Sequence, residues 1–312
     1  MKVLLIIALA GCLCAAASGK SVEIKPPQEW LTQAPNGDWV VDNGHYLLKF
    51  AKQHGYAGVE VRIFAGSGDR LDQYWTPEYT FAPMCRFFDN VSFMDAEGGE
   101  IQGYVTMENS FVEAQAKTID GQPALVQKGH LQRRSDHTEG QVYFEKTMIF
   151  YEDHYEVELS VRAPEGSKYR YADVWFDIND DWCHRYTNSA GDIIHLREGR
   201  ADAENASLTW RSIEQLDRGY GVWMSVSGPR EEILIAFTDP DVLRPLPHAG
   251  ITFFDGADEG GDQPPNSSHE CMSITIVGGI REVVPFEPNE LTFHYRVFLQ
   301  ARSDFEKLYG TD

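Results

Sequence analysis

From Gln141 to Asn179 apolar and polar residues alternate through three successive runs. In the first, Val142, Phe144, Met148 and Phe150 alternate with Tyr143, Glu145, Thr147 and Tyr151, giving an extended strand one apolar side and one wet side. In the second, Tyr155, Val157, Leu159 and Val161 face one way, and Glu156, Glu158, Ser160 and Arg162 the other. Glu152-Asp153 and Pro164-Glu165-Gly166 read as the turns between runs, so the pattern predicts an antiparallel meander. In the third run Ala172, Val174, Phe176 and Ile178 make the core side, leaving Tyr171, Asp173, Trp175 and Asp177 opposite. That opposite side joins flat aromatic surface to short carboxylates, a combination that suits sugar rings. It equally suits a half-buried second sheet layer, and the residues alone leave both readings open.

The same period recurs along the chain. Tyr46, Leu48 and Phe50 alternate on one strand and Val59, Val61 and Ile63 on the next, with Gln53-His54-Gly55 between them. Further strands are expected over 101–107, 124–131, 193–197, 207–210, 221–226, 233–237, 272–277 and 291–299. No segment keeps a 3.6-residue apolar period over helix length; 212–216 and 303–309 come nearest. Many short strands separated by turn signals predict an all-β fold, a sandwich or a barrel. Residues 74–88, aromatic-rich with Pro77 and Pro83, read as a packed loop, and 239–247 and 255–268 as long surface loops.

Composition narrows the function classes. A chain of 312 residues with 42% apolar content can bury a large core. A net charge of −21 excludes nucleic acid as a partner, because phosphate binding needs a basic surface, and it disfavours polyanionic glycans. Residues 1–17 read as a targeting segment: Lys2 precedes an apolar stretch from Val3 to Ala10, followed by small residues. Leu9-Ala10-Gly11-Cys12 matches a lipobox, which would put a lipid on Cys12, and Ala15-Ala16-Ala17 equally suits ordinary signal cleavage. Either route exports the protein, with a lipid on Cys12 as its only membrane link. Residues 18–36 then form an N-terminal arm and 37–312 one β domain.

Three features carry a resemblance to a known superfamily. The hairpin His45-Tyr46-Leu47-Leu48-Lys49-Phe50 with Gly58-Val59-Glu60-Val61 is similar to its opening strands. Phe286-Glu287-Pro288-Asn289-Glu290-Leu291 resembles the turn that feeds its last strand. His184 and Glu270 occupy positions comparable to its acid/base residues. On these residues the chain resembles the galactose mutarotase-like β-supersandwich, the large two-sheet antiparallel fold of aldose epimerases and of domains of many polysaccharide lyases and glycosidases. There are departures. Asn289 replaces the usual glycine, Arg185-Tyr186 follow His184 where Pro-Tyr-Phe-Asn is usual, and Cys271-Met272 follow Glu270 where proline and glutamine are usual. The resemblance therefore implies a sugar-related role more than mutarotase activity.

Ring opening of an aldose, or β-elimination at a uronic acid, needs one group to take a proton and another to give one, and a His/Glu pair can do both. His184 and Glu270 are the expected catalytic pair, with Tyr186 a candidate base for lyase chemistry. Tyr171, Trp175, Asp177, Trp182, Arg185 and His269 are expected to bind carbohydrate around them. Glycosidase chemistry would need two opposed carboxylates, for which Asp177, Asp180, Asp181 and Glu270 are available. The scattered histidines form no zinc motif. Asp177-x-Asn179-x-Asp181 starts like an EF-hand loop, but Trp182 stands where glycine is required and Asn188 where the bidentate glutamate belongs. A structural calcium ion is the one cofactor this segment leaves open. The expectation is an exported carbohydrate-active lyase or hydrolase, with a glycan-binding surface lipoprotein or an aldose 1-epimerase-like enzyme as alternatives.

Overall fold

A computed structural model of the chain describes residues 25–63, 88–95, 101–102, 111–133, 136–179, 183, 185–195, 208–219, 221–228, 231–246, 248–255, 269–277, 284–287 and 289–301. The first strands are β1 (Leu31–Gln33), β2 (Trp39–Asp42), β3 (Tyr46–Ala51), β4 (Ala57–Ile63), β5 (Phe88–Asp95) and β6 (Ile101–Gln102). Then come β7 (Val112–Ile119), β8 (Gln122–Gln132), β9 (Glu139–Phe150), β10 (His154–Arg162), β11 (Lys168–Asn179), β12 (Arg185–Asn188) and β13 (Ile193–His195). The chain continues through β14 (Leu208–Ser212), β15 (Trp223–Ser227), β16 (Glu231–Phe237), β17 (Gly250–Asp255), β18 (His269–Val277), β19 (Val284–Pro285) and β20 (Glu290–Ala301).

Among the described residues these strands build two antiparallel sheets. The larger, of eleven strands, runs β1-β2-β3-β4-β5-β11-β18-β17-β14, with β6 beside β5 and β19 beside β11. The smaller, of nine, runs β13-β12-β15-β16-β20-β10-β9-β8-β7. This is the all-β two-sheet sandwich that the alternation predicts.

The two sheets bury their apolar sides against each other. Val142, Phe144, Met148 and Phe150 of β9 and Tyr155, Val157, Leu159 and Val161 of β10 are all buried. They meet residues such as Phe50, Val174, Phe176, Met272 and Ile274 of the larger sheet. Phe50 packs on Phe150 with ring centroids 6.2 Å apart, and Phe176 sets its ring edge-on to Tyr295 at 6.3 Å. Each such fully buried side chain stabilises the sandwich by roughly 1.5–3 kcal/mol. One core-side position of β9 breaks the apolar series: Lys146, only 2% exposed, stands opposite Gln127, whose amide donates to the Tyr56 carbonyl at 2.8 Å.

The meander is corrected. β9 and β10 pair as a hairpin, but Pro164-Glu165-Gly166 leads the chain from the smaller sheet into the larger one, where β11 lies between β5 and β18. The free edge of β10 is taken by β20. Alternation fixes which side of a strand is buried; it does not choose between two sheets whose core sides face each other.

Other differences have local causes. β7 gives almost no apolar alternation because it is an edge strand with both faces largely wet. The last part of the N-terminal lead is edge strand β1, paired with β2. The helical tendency at 212–216 becomes one turn, α1 (Ile213–Leu216), closed by a capping box between Ser212 and Gln215. Among the described residues no helix is long and apolar enough to cross a membrane.

Candidate functional site

The side of the larger sheet that faces away from the core is where the unusual face of β11 lies. Its centre is a row set by register: Trp210 of β14 opposite Thr252 of β17, Thr252 opposite Ser273 of β18, and Ser273 opposite Trp175 of β11. Three inter-strand steps separate the two tryptophans, about 14 Å of sheet. Both indoles are half-buried. The next row puts Asp173 opposite Thr275, which shares a hydroxyl–hydroxyl bond of 2.8 Å with Thr252. Two flat rings therefore flank a strip of hydroxyls with a carboxyl at its edge.

Asp173 is the chemically distinctive group of this face. It is 5% exposed and accepts a hydrogen bond from the Trp175 Nε1–H at Oδ1. Burial lifts its carboxyl well above the ordinary carboxylate range, and the Trp175 bond opposes that shift by less. The Trp175 bond takes Oδ1, so when Asp173 is protonated Oδ2 is the oxygen that can donate to a hydroxyl or ether oxygen. Asp173 was visible in the alternation as a neighbour of Tyr171 and Trp175; its burial was not, because that depends on strands distant in sequence.

The expected site residues divide. Trp175 stands on the face just described. Tyr171, Asp177, His269 and Glu270 are placed by backbone register: Tyr171 opposite Met94, Asp177 opposite Cys271, His269 opposite Asn179, and Glu270 opposite Ile178. Glu270 thus falls in the register set of Met272, which alternates with the set carrying Ser273 and Trp175. Trp182 and His184 lie outside the described residues, as do Asp180 and Asp181 of the calcium reading. Among the described residues no group of three or more His, Cys, Asp or Glu side chains converges to hold a metal.

Two assignments change. Tyr186 is a core residue, not an accessible base: its ring is fully buried and stacked on Phe253 at 4.3 Å, and its hydroxyl accepts from the Asn188 amide at 3.1 Å. Burial holds its phenol far above ordinary tyrosine, so it does not ionise near neutrality. Asn188 goes on to Asp192, which Arg211 of β14 grips with two contacts of 2.7 Å, tying the sheets together at this edge. Arg185 belongs elsewhere. Next to core-facing Tyr186 on β12, it lies on the outer face of the smaller sheet, 3.9 Å from Glu232, so the whole sandwich separates it from Trp175.

No protein-family model and no curated protein sequence matches the chain. Several solved structures are similar in fold at low identity. A 4-alpha-glucanotransferase from Thermococcus litoralis matches with a TM-score of 0.45 and 10% identity over 88% of this chain, which spans 39% of that protein. A galactose mutarotase-like protein from Clostridium acetobutylicum matches with a TM-score of 0.42 and 8% identity, covering 87% of this chain and 98% of that one. A galactose 1-epimerase from Lactobacillus acidophilus gives 0.43 and 7%, covering 86% and 97%.

Proposed function

We propose that this chain is an exported carbohydrate-active protein whose sugar-contacting surface is the outer face of the larger sheet. The observation that carries the reading is the Trp175–Asp173 pair: a half-buried indole bonded to an acid whose ionisation burial pushes upward, on a strip with Thr252, Ser273 and Trp210. Aromatic surface supplies apolar contact for a sugar ring, and hydroxyls and an acid supply direction. Neutral glycans fit better than polyuronates, because a chain of net charge −21 repels them and no basic residue is set in this row.

Within that class the reaction is glycan cleavage by lyase or hydrolase chemistry, with His184 and Glu270 as the candidate proton-transfer pair; Glu270 alternates with the outer-face set on β18, so this pair is proposed at the strand end and not on the Trp175–Asp173 row. Non-catalytic glycan binding is the second reading, favoured by the burial of Tyr186 and the separation of Arg185 from Trp175. Export rests on the apolar segment before Cys12 and Ala17. Mass measurement of the mature chain distinguishes a lipidated Cys12 from cleavage after the alanines.

A panel of neutral oligosaccharides, assayed for binding and for new reducing or unsaturated ends, tests the reading. Binding should weaken in Trp175→Ala, and turnover should disappear in His184→Ala and Glu270→Gln. Turnover that survives both substitutions removes the acid/base assignment; binding indifferent to Trp175 removes the site.

A further inference from the structure

The smaller sheet ends on one side at β7, and among the described residues no strand pairs with the outer edge of that strand. A free edge is a template for another strand, and monomeric proteins blunt theirs with short strands, bulges, proline or unmatched charge. β7 is neither short nor bulged: Val112-Glu113-Ala114-Gln115-Ala116-Lys117-Thr118-Ile119 runs in unbroken register with β8. It holds no proline, and its one lysine is matched by one glutamate. Glu113, Gln115, Ala116, Lys117 and Thr118 are exposed. A hollow of about 510 Å³ adjoins the strand, lined in part by Lys52, Tyr56, Val112, Glu113, Gln115 and Lys117.

The turn after β7 fixes which backbone groups are free. Asp120 and Gly121, both at positive φ, close a two-residue hairpin between Ile119 and Gln122, and such a hairpin ends on a pair that exchanges hydrogen bonds. Counting back, Lys117, Gln115 and Glu113 direct their N–H and C=O to β8. The His130 N–H, donating to the Phe111 carbonyl at 3.2 Å, continues that series. Pro123, with no N–H to give, stands opposite Thr118 in the other series, which needs none there. Thr118, Ala116, Ala114 and Val112 therefore direct their backbone groups away from β8.

Two copies of this edge complement each other. Antiparallel pairing has to set the outward series of one copy against that of the other, so even-numbered residues must oppose even-numbered ones. Among the registers that do so, the one centred on Gln115 sets Glu113 of one copy opposite Lys117 of the other, twice over. Ala114 and Ala116 then exchange backbone hydrogen bonds, their small side chains leaving the backbones free to approach. Gln115 meets Gln115, and each amide offers both a donor and an acceptor. The charged pairs fall at the closely spaced, non-hydrogen-bonded positions, with Cα atoms about 4.5 Å apart, where side chains interact most. Moving the centre to Ala114 or Ala116 sets Gln115 against Glu113 or Lys117 and loses both charged pairs.

We propose that β7 is a self-pairing edge, through which two copies of this chain associate about a two-fold axis at Gln115 and join their smaller sheets into one. The pairing uses no residue of the Trp175 face and does not depend on the sugar reading. The test is sedimentation equilibrium of the mature, unlipidated chain at low ionic strength, from about 1 μM to about 1 mM, which should show a monomer–dimer equilibrium. Ala116→Pro removes an outward N–H and leaves the ladder to β8 in place, so it should weaken association by about tenfold or more. Glu113→Lys and Lys117→Glu should each do the same, because each sets like charges opposite each other at two places. Mixing these two variants should restore the dimer as a heterodimer, since every charged pair then has opposite signs. If Ala116→Pro prevents folding, the two exposed charge variants decide. A chain monomeric at every concentration would overturn the proposal, leaving the edge bare or open to an extended segment of a different protein. So would a dimer that a folded Ala116→Pro variant or the charge reversals leave unchanged, or two reversed variants that fail to associate when mixed.

Discussion

Trp175 donates its indole N–H to a carboxyl oxygen of Asp173, two residues earlier on the same strand and the same face. That bond ties an aromatic ring accessible to a ligand to an acid that is not. It satisfies the indole nitrogen, fixes the ring plane, and leaves the acid one free oxygen for its proton.

The first prediction concerns pH. An unfolded aspartate ionises near pH 4, at about 3.9. Burial keeps the folded Asp173 protonated to a higher pH. Between those two values the folded state holds more protons than the unfolded state, so stability falls as pH rises through the window and stays lower above it. Asp173→Asn should remove this contribution and make the protein more stable than the wild type near neutrality. Urea midpoints measured across the acid range and at neutral pH check this: parallel pH profiles for wild type and variant would show that Asp173 titrates normally. Asp173→Ala should instead cost about 1–3 kcal/mol by removing the carboxyl oxygen that accepts the Trp175 Nε1–H.

The second prediction separates the two tryptophans. If a glycan lies along the Trp210–Thr252–Ser273–Trp175 row, Trp175→Ala and Trp210→Ala should each weaken oligosaccharide binding by about tenfold or more. A monosaccharide that covers only the Asp173 end should respond to Trp175→Ala and not to Trp210→Ala. Calorimetry with a sugar monomer and its tetramer reads the difference, and equal losses for both ligands would contradict the row.

Tyr186 supplies a third. Its hydroxyl accepts from Asn188 within the core, so Tyr186→Phe should cost about 0.5–1.5 kcal/mol of stability and, if the protein turns over glycans as proposed, leave that turnover unchanged. A variant that folds normally and loses turnover would restore Tyr186 as a base.

Individual residues show how much of this was open to sequence reasoning. The alternation of Ala172, Val174 and Phe176 assigned the two faces of β11 correctly, because burial on one side imposes a period of two on any strand. The same logic placed Trp175 and Asp173 side by side. It could not find Thr252, Ser273, Thr275 or Trp210, whose positions are set by pairing with β17, β18 and β14, strands distant in the chain. Nor could it separate Arg185 from Trp175. Nine residues of sequence lie between them, and within that span the chain passes from one sheet to the other, which turns neighbours in sequence into residues on opposite faces. Tyr186 failed for a related reason: beside Arg185 it looked like a loop residue, whereas β12 points it into the core.

The last prediction tests how the row is held. Gly250 starts β17, opposite both Ser212 and Thr275, where the neighbouring backbone comes close. A β-carbon at this position would lie 2.0 Å from the Arg211 carbonyl oxygen and 2.9 Å from its carbon, so a methyl group fits only if β14 moves. Gly250→Ala should therefore cost about 1–3 kcal/mol through overpacking against backbone. The damage should be directional. β14 carries Trp210 and, through Arg211, the grip on Asp192, so both should suffer, while Asp173 and Trp175 on β11, two strands away from β17, keep their bond. Binding that needs Trp210 should fall with stability, and the pH dependence due to Asp173 should survive. Loss of both together in a folded variant would mean that the outer face acts as one rigid unit, not as two anchors carried on separate strands.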